Sequence, residues 1–489
     1  MASIPSTSPQ LRRKIGPFQA TTLNMSQMVG IGPFITIPAM IVAFGGPQAV
    51  VGWIAGAVLA LADGLIWAEL GAAMPGSGGT YLYLREAFKH RTGHLMPFLF
   101  VWSAVLFIPL VMSTGVIGFV QYLGYLAPGM NDLTGTLVGL GLIAIIVAVL
   151  WRRIESLGKL TVVLWAIMIA TVLTVIVACF TQFNLSQVMT FPAGAFDIRS
   201  GGFWISFVAG LTIGIYDYLG YNTSAYMGAE MKNAGRTIPR SIVYSVLGIM
   251  VIYLLTQIGI LGVVKWQEML VTDSMAYKSV VSLALQRTWG VGAANVVTVF
   301  ILITAFASLL VGLLAGSRVP YDAARDGVFF RVFAKLHPTK EFPVAGLIAM
   351  GVMTAAGFLI GRATNIAALI QLLTAVMVLV QAMGQVCAVV VLRRGRSDLV
   401  RPYKMWLYPA PVAIAGLGWL AIFLYSDINA PGLHPMELSL AWVAVGGVCF
   451  LGWAKRERTW PFGPMPTGKN VVDEEIGLAD LADLAEVTV

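Results

Sequence analysis

The sequence predicts an all-α polytopic membrane protein. Of its 489 residues, 58% are hydrophobic and only 11% are charged, whereas a soluble protein usually carries about 25% charged residues. Apolar runs of about 20 residues, the length that crosses a bilayer, recur along most of the chain. The runs are continuous rather than alternating, which favours helices over strands.

Twelve spans are predicted, and they form a membrane domain over residues 19–454. A polar N-terminal segment, 1–18, precedes this domain, and an acidic tail, 455–489, follows it. The N-terminal segment lacks the pattern of a cleavable signal peptide. The predicted spans are 19–44, 48–73, 95–126, 133–151, 159–181, 203–228, 240–264, 291–317, 343–361, 364–392, 404–427 and 437–454.

The positive charges predict the orientation of the spans. With the N-terminus inside, the inside segments hold 26 of the 31 Lys and Arg residues and the outside segments hold 5. Positive residues concentrate on the cytoplasmic side of membrane proteins. We therefore expect both termini to be cytoplasmic, in a multi-pass protein of the plasma or inner membrane.

The centre of the first predicted span reads Gly30-Ile31-Gly32-Pro33. Glycine and proline suit a regular helix poorly, and an unsatisfied backbone group in hydrocarbon costs several kcal/mol. With Gly32 as the cap and Pro33 at the first helical position, a second half-helix would aim free N–H groups at an anion. The alternative interpretation is a proline-kinked helix packed through its glycines.

The sixth predicted span also carries glycines at mid-depth, within 210–222, together with Asp217. The first and sixth spans are five helices apart and run in opposite directions. Two interrupted helices in this relation indicate an inverted five-helix repeat with a binding site between its halves. Carbonyl groups freed at the second break suit an ammonium group, so the two breaks together suit the backbone of an α-amino acid.

Individual polar residues in the spans leave alternatives open. A mid-depth carboxylate costs about 2.5–3.5 kcal/mol on insertion scales, so Asp217 is expected to face a cavity or a partner. It binds a substrate ammonium group, carries a coupling proton, or makes a structural hydrogen bond. Tyr216 and Tyr218 either line the pocket or pack, and Glu69 is predicted to be structural or part of a gate.

The sequence indicates no enzyme, cofactor or metal site. The four histidines fall in loops and are expected to form no ligand cluster, and the three cysteines lie in apolar segments. The stretch 463–469 has the glycine and lysine spacing of a phosphate loop, but Asn470 stands where Ser or Thr is needed. The positive residues lie in short loops, so the net charge of +8 does not indicate a nucleic-acid partner.

The chain resembles the amino acid–polyamine–organocation (APC) permeases over roughly residues 15–455. The resemblance implies twelve helices in the leucine-transporter-type fold, an inverted five-plus-five repeat with broken first and sixth helices. It also implies secondary transport by alternating access. The stretches that carry it are Gly30-Ile31-Gly32-Pro33-Phe34, Ala68-Glu69-Leu70-Gly71, Gly220-Tyr221-Asn222 and Ala324-Arg325-Asp326-Gly327.

Residue by residue, the resemblance implies a set of substrate contacts and several departures. Ile31 stands where relatives have serine, Met168 where some proton-coupled relatives have lysine, and Ile37 and Pro38 where polyamine carriers have acids. Thr304 and Ser308 are the hydroxyls available for sodium coupling or gating. The implied substrate contacts are Gly30, Ile31, Gly32 and Pro33 on the first helix and Tyr216, Asp217, Tyr218 and Gly220 on the sixth.

The expected function is a permease for amino acids, driven by proton symport or by exchange. Its expected partners are a small-molecule substrate, a proton or counter-substrate, and the lipid bilayer. The first alternative is a polyamine or cationic amine transporter. The second is a non-transporting solute receptor, which the sequence disfavours because no sizeable soluble domain is attached.

Overall fold

The structure, a computed structural model, describes residues 15–76, 78–151, 157–338, 342–396 and 398–462. In these ranges the only β-structure is two isolated bridges, Ile15 with Met231 and Leu336 with Pro343. The expected all-helical class is confirmed. The N-terminal segment up to residue 14 and the acidic tail from residue 463 lie outside the described residues.

Twenty α-helices are described between Pro17 and Arg456. Three 3₁₀ turns lie at Pro47–Ala49, Gly228–Glu230 and Arg331–Ala334, and a π turn at Val378–Ala382 joins α17 to α18. The α-helices are α1 (Pro17–Met28), α2 (Gly32–Phe44), α3 (Val50–Ala73), α4 (Thr80–Thr92), α5 (Leu95–Leu126), α6 (Asp132–Leu150), α7 (Leu157–Thr181), α8 (Leu185–Val188), α9 (Gly201–Tyr218), α10 (Thr223–Tyr226), α11 (Ala234–Leu261), α12 (Trp266–Met269), α13 (Met275–Lys278), α14 (Val280–Thr288), α15 (Val291–Arg325), α16 (Val344–Ala363), α17 (Ile366–Met377), α18 (Met383–Gly395), α19 (Ala410–Asn429) and α20 (Pro435–Arg456).

Nine helices in the described ranges are long and apolar enough to cross a membrane, and the bent pair α1–α2 makes a tenth. This confirms a polytopic membrane protein. The fifth and sixth predicted spans correspond to α7 and α9. The helical part of the sixth span is shorter than the predicted 203–228, because α9 ends at Tyr218 and α10 is a single turn.

The broken helices are held by long unbroken ones. The axis bends by 56° between α1 and α2. The first half, α1, packs on α11, and the second half, α2, packs on α9. Helix α3 contacts both α9 and α11. Helix α5 lies against α15, α16 and α17. Both breaks therefore lie in the protein interior, where protein groups can satisfy freed backbone atoms.

The segment between the seventh and eighth predicted spans, 265–289, forms the short helices α12, α13 and α14. Met269, Val280 and Leu285 are buried, and α14 packs on α15, α7 and α2. Arg287 joins the segment's ends by donating to both carboxylate oxygens of Glu268, at 3.1 and 2.6 Å. These hydrogen bonds hold the pKa of Glu268 below its usual range.

Candidate substrate site at two helix breaks

After the first break, the second half-helix begins one residue earlier than the sequence predicts. Helix α1 ends at Met28, and Ile31 caps α2, so Gly32 and Pro33 are its first two residues. The predicted cap at Gly32 is therefore wrong by one position. A proline is tolerated there because the first four N–H groups of a helix have no intrahelical partner in any case.

The second break, which follows α9, lies in contact with the end of α1 at the first break. After α9 the chain turns at Gly220, whose φ is +113°. A Cβ placed on Gly220 would lie 2.7 Å from Gln27 Cβ and 3.1 Å from the Met28 nitrogen. Both the left-handed backbone and the close approach need glycine here. The structure thus brings Gly220 to the end of α1.

Asp217 lies at the meeting point of the two breaks and is 2% exposed. The Thr36 hydroxyl donates to its Oδ2 and also lies 3.0 Å from the Gly32 carbonyl oxygen. Its Oδ1 has no hydrogen-bond partner among the described residues. A Cβ on Gly32 would come within 2.3 Å of that oxygen. The protein's own carboxylate therefore lies against the first turn of α2, where a helix attracts an anion.

Tyr253 of α11 reaches the carbonyl groups that the breaks release. Its hydroxyl lies 2.8 Å from the Met28 oxygen and 3.0 Å from the Asp217 oxygen. The expectation that carbonyls at the sixth-helix break are free for a ligand is therefore wrong for Asp217. The single hydroxyl hydrogen is shared between two acceptors, one from each broken helix.

The two tyrosines beside Asp217 have different surroundings. Tyr216 and Thr114 of α5 have their hydroxyl oxygens 2.5 Å apart. Thr114 donates to the Val111 carbonyl at 2.7 Å, so Tyr216 is the donor in the pair. Tyr218 is fully buried and donates to the Trp53 carbonyl at 3.2 Å. Tyr216 thus links α9 to α5, whereas Tyr218 packs against α3.

The remaining residues of the first break face α5 and α15. Ile31 is 3% exposed, and its Cδ1 would lie 2.9 Å from a Cβ on Gly118 of α5. Gly30 faces Ser308 of α15, whose Cβ and Oγ would be 3.7 Å from an added Cβ. The Thr304 hydroxyl donates to its own helix, to the Phe300 carbonyl at 2.8 Å. Of the two hydroxyl candidates on α15, only Ser308 is placed against a break.

Glu69 is not among the residues that surround the two helix breaks. It is 1% exposed and accepts from both Arg393 Nε, at 2.7 Å, and Arg393 Nη2. The Met405 backbone N–H donates to it at 2.8 Å. Arg393 also lies over the Tyr408 ring, 3.9 Å from its centroid. The carboxylate joins α3 to α18 and to the chain that leads into α19.

Several contributors were not predicted. Thr36 and Tyr253 contact Asp217. In the sequence each is a single hydroxyl-bearing residue within an apolar span, and nothing there indicated a contact with Asp217. Tyr122 of α5 donates to the Phe34 carbonyl at 2.8 Å and fixes the first turn of α2. A tyrosine within an apolar span was the available indication, because its hydroxyl needs a partner when buried.

His434 lies beside two carboxylates, and the expectation that the histidines form no metal-ligand cluster stays a prediction. The turn from α19 to α20 brings it together with Asp427 and Glu437, with ligand atoms within 4.8 Å of one another. The cluster is exposed or half-buried and lies away from the helix breaks. Asp427 Oδ1 already accepts from the Met436 N–H at 2.7 Å, so capping of α20 accounts for this arrangement.

Comparison with known proteins gives a consistent result. The family described as "Amino acid permease" matches residues 15–450. The human cystine/glutamate transporter is 25% identical over 87% of this chain and 83% of its own. A branched-chain amino acid permease of Bacillus subtilis (strain 168) is 24% identical over 91% and 94%. A methylthioribose transporter of the same organism is 25% identical over 93% and 96%.

Proposed function

Since the chain belongs to the amino acid permease family, we propose that it is a secondary transporter for amino acids that works by alternating access. The observation that carries this proposal is the buried meeting of two helix breaks around Asp217. A site built from unpaired helix ends at mid-membrane is the arrangement that transporters use for small zwitterions. The relatives are named for amino acids, and in one case for methylthioribose.

The proposed architecture has twelve spans in an inverted five-plus-five repeat. Helices α1 and α2 together would form the first span, and α9 with α10 the sixth. The bend of 56° at the first break and the turn after Tyr218 support this. The charge asymmetry supports cytoplasmic termini in a plasma or inner membrane, with 455–489 as a cytoplasmic tail.

The substrate would lie between the breaks. On one side it would meet Gly30, Ile31, Gly32 and Pro33, and on the other Tyr216, Gly220 and the backbone of Tyr218, whose side chain packs against α3. Its carboxylate would approach the first turn of α2, where the Gly32 N–H and the helix dipole favour an anion. Its ammonium group would compete with the Tyr253 hydroxyl for the carbonyls of the breaks. Ile31, buried against α5, would contribute its backbone rather than its side chain.

Asp217 is proposed to carry the coupling proton. An ionised Asp217 beside the first turn of α2 would repel a substrate carboxylate. Thr36 has one hydroxyl hydrogen for two acceptors, the Gly32 carbonyl and Asp217 Oδ2, so a proton on Asp217 allows both contacts to be hydrogen bonds. Substrate and proton would then bind together, which is symport; exchange is the alternative mode of coupling.

The second candidate is transport of a polyamine or another cationic amine. The unpartnered Oδ1 of Asp217 favours it, since a buried carboxylate without a cation is matched by a substrate cation. For the remaining candidates, Ser308 would line the site beside Gly30, and Glu69 would act as a structural tie or a gate on the cytoplasmic side. Thr304 would contribute packing.

The test is uptake into proteoliposomes against a panel of amino acids and amines. Symport through Asp217 predicts uptake that rises as the external pH falls, whereas amine binding to an ionised Asp217 predicts the opposite slope. Asp217→Asn should abolish the pH dependence in either case. Background flux for the whole panel would contradict transport and favour a solute receptor.

Thr36→Val separates the hydrogen bond from the charge, because it leaves Asp217 in place. Thr212→Val is the matched control: Thr212 is buried in α9 and donates only to the Val208 carbonyl, at 2.8 Å. We expect Thr36→Val to shift the pH profile and Thr212→Val to leave it unchanged. A thermal-shift screen identifies the ligand first, since a ligand at 100 times its Kd stabilises a protein by about 2.7 kcal/mol.

A further inference from the structure

A groove of about 620 Å³ lies away from the helix breaks, between the 3₁₀ turn Arg331–Ala334 and the end of α20. Cys449 and Trp453 line it along α20, and Phe330 lines the opposite wall. Arg456, in the last turn of α20, closes one end. The groove is independent of the proposed substrate site.

The charges in the groove are unbalanced. Its ionisable residues are three cations, Arg331, Lys335 and Arg456, and one carboxylate, Glu457. Arg331 donates to Glu457 at 2.6 Å, which leaves a net positive charge of two. Neither Lys335 nor Arg456 forms an ion pair within the described residues. The groove therefore offers two exposed cations to an anion.

The groove is also amphipathic along the membrane normal. From Cys449 to Arg456 the helix rises by about 10 Å, from the apolar part of a candidate span to its charged end. Val448 and Leu451, 71% and 38% exposed, continue the apolar surface beside it, and Val332 is 54% exposed at the other wall. A ligand that fits has an acyl chain along the helix and an anionic headgroup at its end.

We propose that this groove binds an anionic phospholipid of the cytoplasmic leaflet. Its phosphate would lie between Lys335 and Arg456, and an acyl chain would follow Trp453 and Cys449 into the bilayer. Basic pockets between membrane helices on this side are typical sites for such headgroups. The occupant is a lipid rather than a free phosphate because the cations continue directly into exposed apolar surface.

The full-length protein is reconstituted in nanodiscs of phosphatidylcholine with and without phosphatidylglycerol, and retained phosphatidylglycerol is counted by native mass spectrometry. The double variant Lys335→Gln/Arg456→Gln is compared with Lys232→Gln/Arg240→Gln. The second variant removes the same charge from exposed residues on the same predicted side, outside the groove. Both pairs are exposed, so folding is not at risk.

We expect the groove variant to weaken phosphatidylglycerol binding about 25-fold, since each Lys or Arg near an anionic surface contributes about fivefold. The control variant should bind as the parent does. Equal losses of phosphatidylglycerol binding in both variants would overturn the proposal. They would mean that binding depends on the total positive charge of that membrane side and not on the groove. Equally tight binding of soluble glycerol phosphate would overturn it as well.

The acidic tail is the competing occupant, and it is tested in the full chain by neutralising Asp473, Glu474 and Glu475 to amides. A tail docked in the groove predicts that this variant and the groove variant lose thermal stability equally in pure phosphatidylcholine. That result would identify the acidic tail, and not a lipid, as the occupant of the groove. Unchanged stability of the tail variant, with lipid binding retained, supports the lipid.

Discussion

A single methyl group added at Gly32 tests how the first break is built. The added Cβ would stand 2.3 Å from Asp217 Oδ1 and 3.5 Å from its Cγ. Asp217 cannot simply turn away, because its other oxygen is bound by Thr36. The substitution Gly32→Ala must therefore move the carboxylate by about 1 Å or shift α2.

The cost follows from two contributions. Overpacking in a filled interior costs about 1–3 kcal/mol, and a weakened hydrogen bond to a buried carboxylate adds about 1–3 kcal/mol. Alanine recovers up to about 1 kcal/mol as a better helix former than glycine. With about 1 kcal/mol recovered, the net destabilisation is about 1–5 kcal/mol. Gly30→Ala is the matched control, since its Cβ would meet only Ser308, at an ordinary 3.7 Å.

The assay is thermal unfolding of the detergent-purified variants, with substrate KM measured in proteoliposomes. Gly32→Ala should melt clearly below Gly30→Ala and raise the KM for substrate at least several-fold. In an Asp217→Ala background the penalty of Gly32→Ala should largely disappear, because the clashing oxygen is gone. Two indistinguishable glycine variants, or a penalty that persists without Asp217, would refute the packing we derive.

Three further predictions concern residues around the site. Tyr216→Phe and Thr114→Val should each raise KM about fivefold, as expected for about 1 kcal/mol per hydrogen bond, and the double variant should be no worse than either single one in the uptake assay. Glu69→Gln should lower the free energy of unfolding by about 2–4 kcal/mol, which thermal melting measures. This is less than the cost of breaking a fully buried ion pair, because the partner Arg393 is 21% exposed. An unchanged melting temperature with slowed transport would indicate that Glu69 is part of a gate. Glu268→Gln should cost under about 1 kcal/mol at neutral pH, since both Arg287 and Glu268 are over a third exposed. Because the folded pKa of Glu268 is lowered, that contribution is present above the unfolded pKa of about 4.3 and is lost as the pH falls, so melting curves of variant and parent should converge in acid.

The sequence predicted the elements that depend on local pattern. Spans such as α5, α6 and α16 follow directly from apolar runs and agree with their predicted limits within two residues. The first break was predictable because two glycines and a proline at mid-span have few other uses. The family resemblance predicted the same class of protein that the comparisons support.

The details that depend on contacts between distant helices were not predictable. That Ile31 packs into α5 depends on the absence of a side chain at Gly118, 87 positions later in the chain. The position of Tyr253 depends on how α11 crosses two breaks at once. No spacing rule within one helix records such contacts, because each partner contributes a single residue.

The hydroxyl of Tyr253 also bears on the return of the empty carrier. An obligatory exchanger resets only when loaded, because its empty binding site is costly to close. Here the Tyr253 hydroxyl can donate to a backbone carbonyl of either broken helix. This lowers the free-energy cost of closing the site when no substrate is bound. If the chain transports as proposed, this arrangement favours net uptake over obligatory exchange, and Tyr253→Phe is expected to shift transport towards one-for-one exchange.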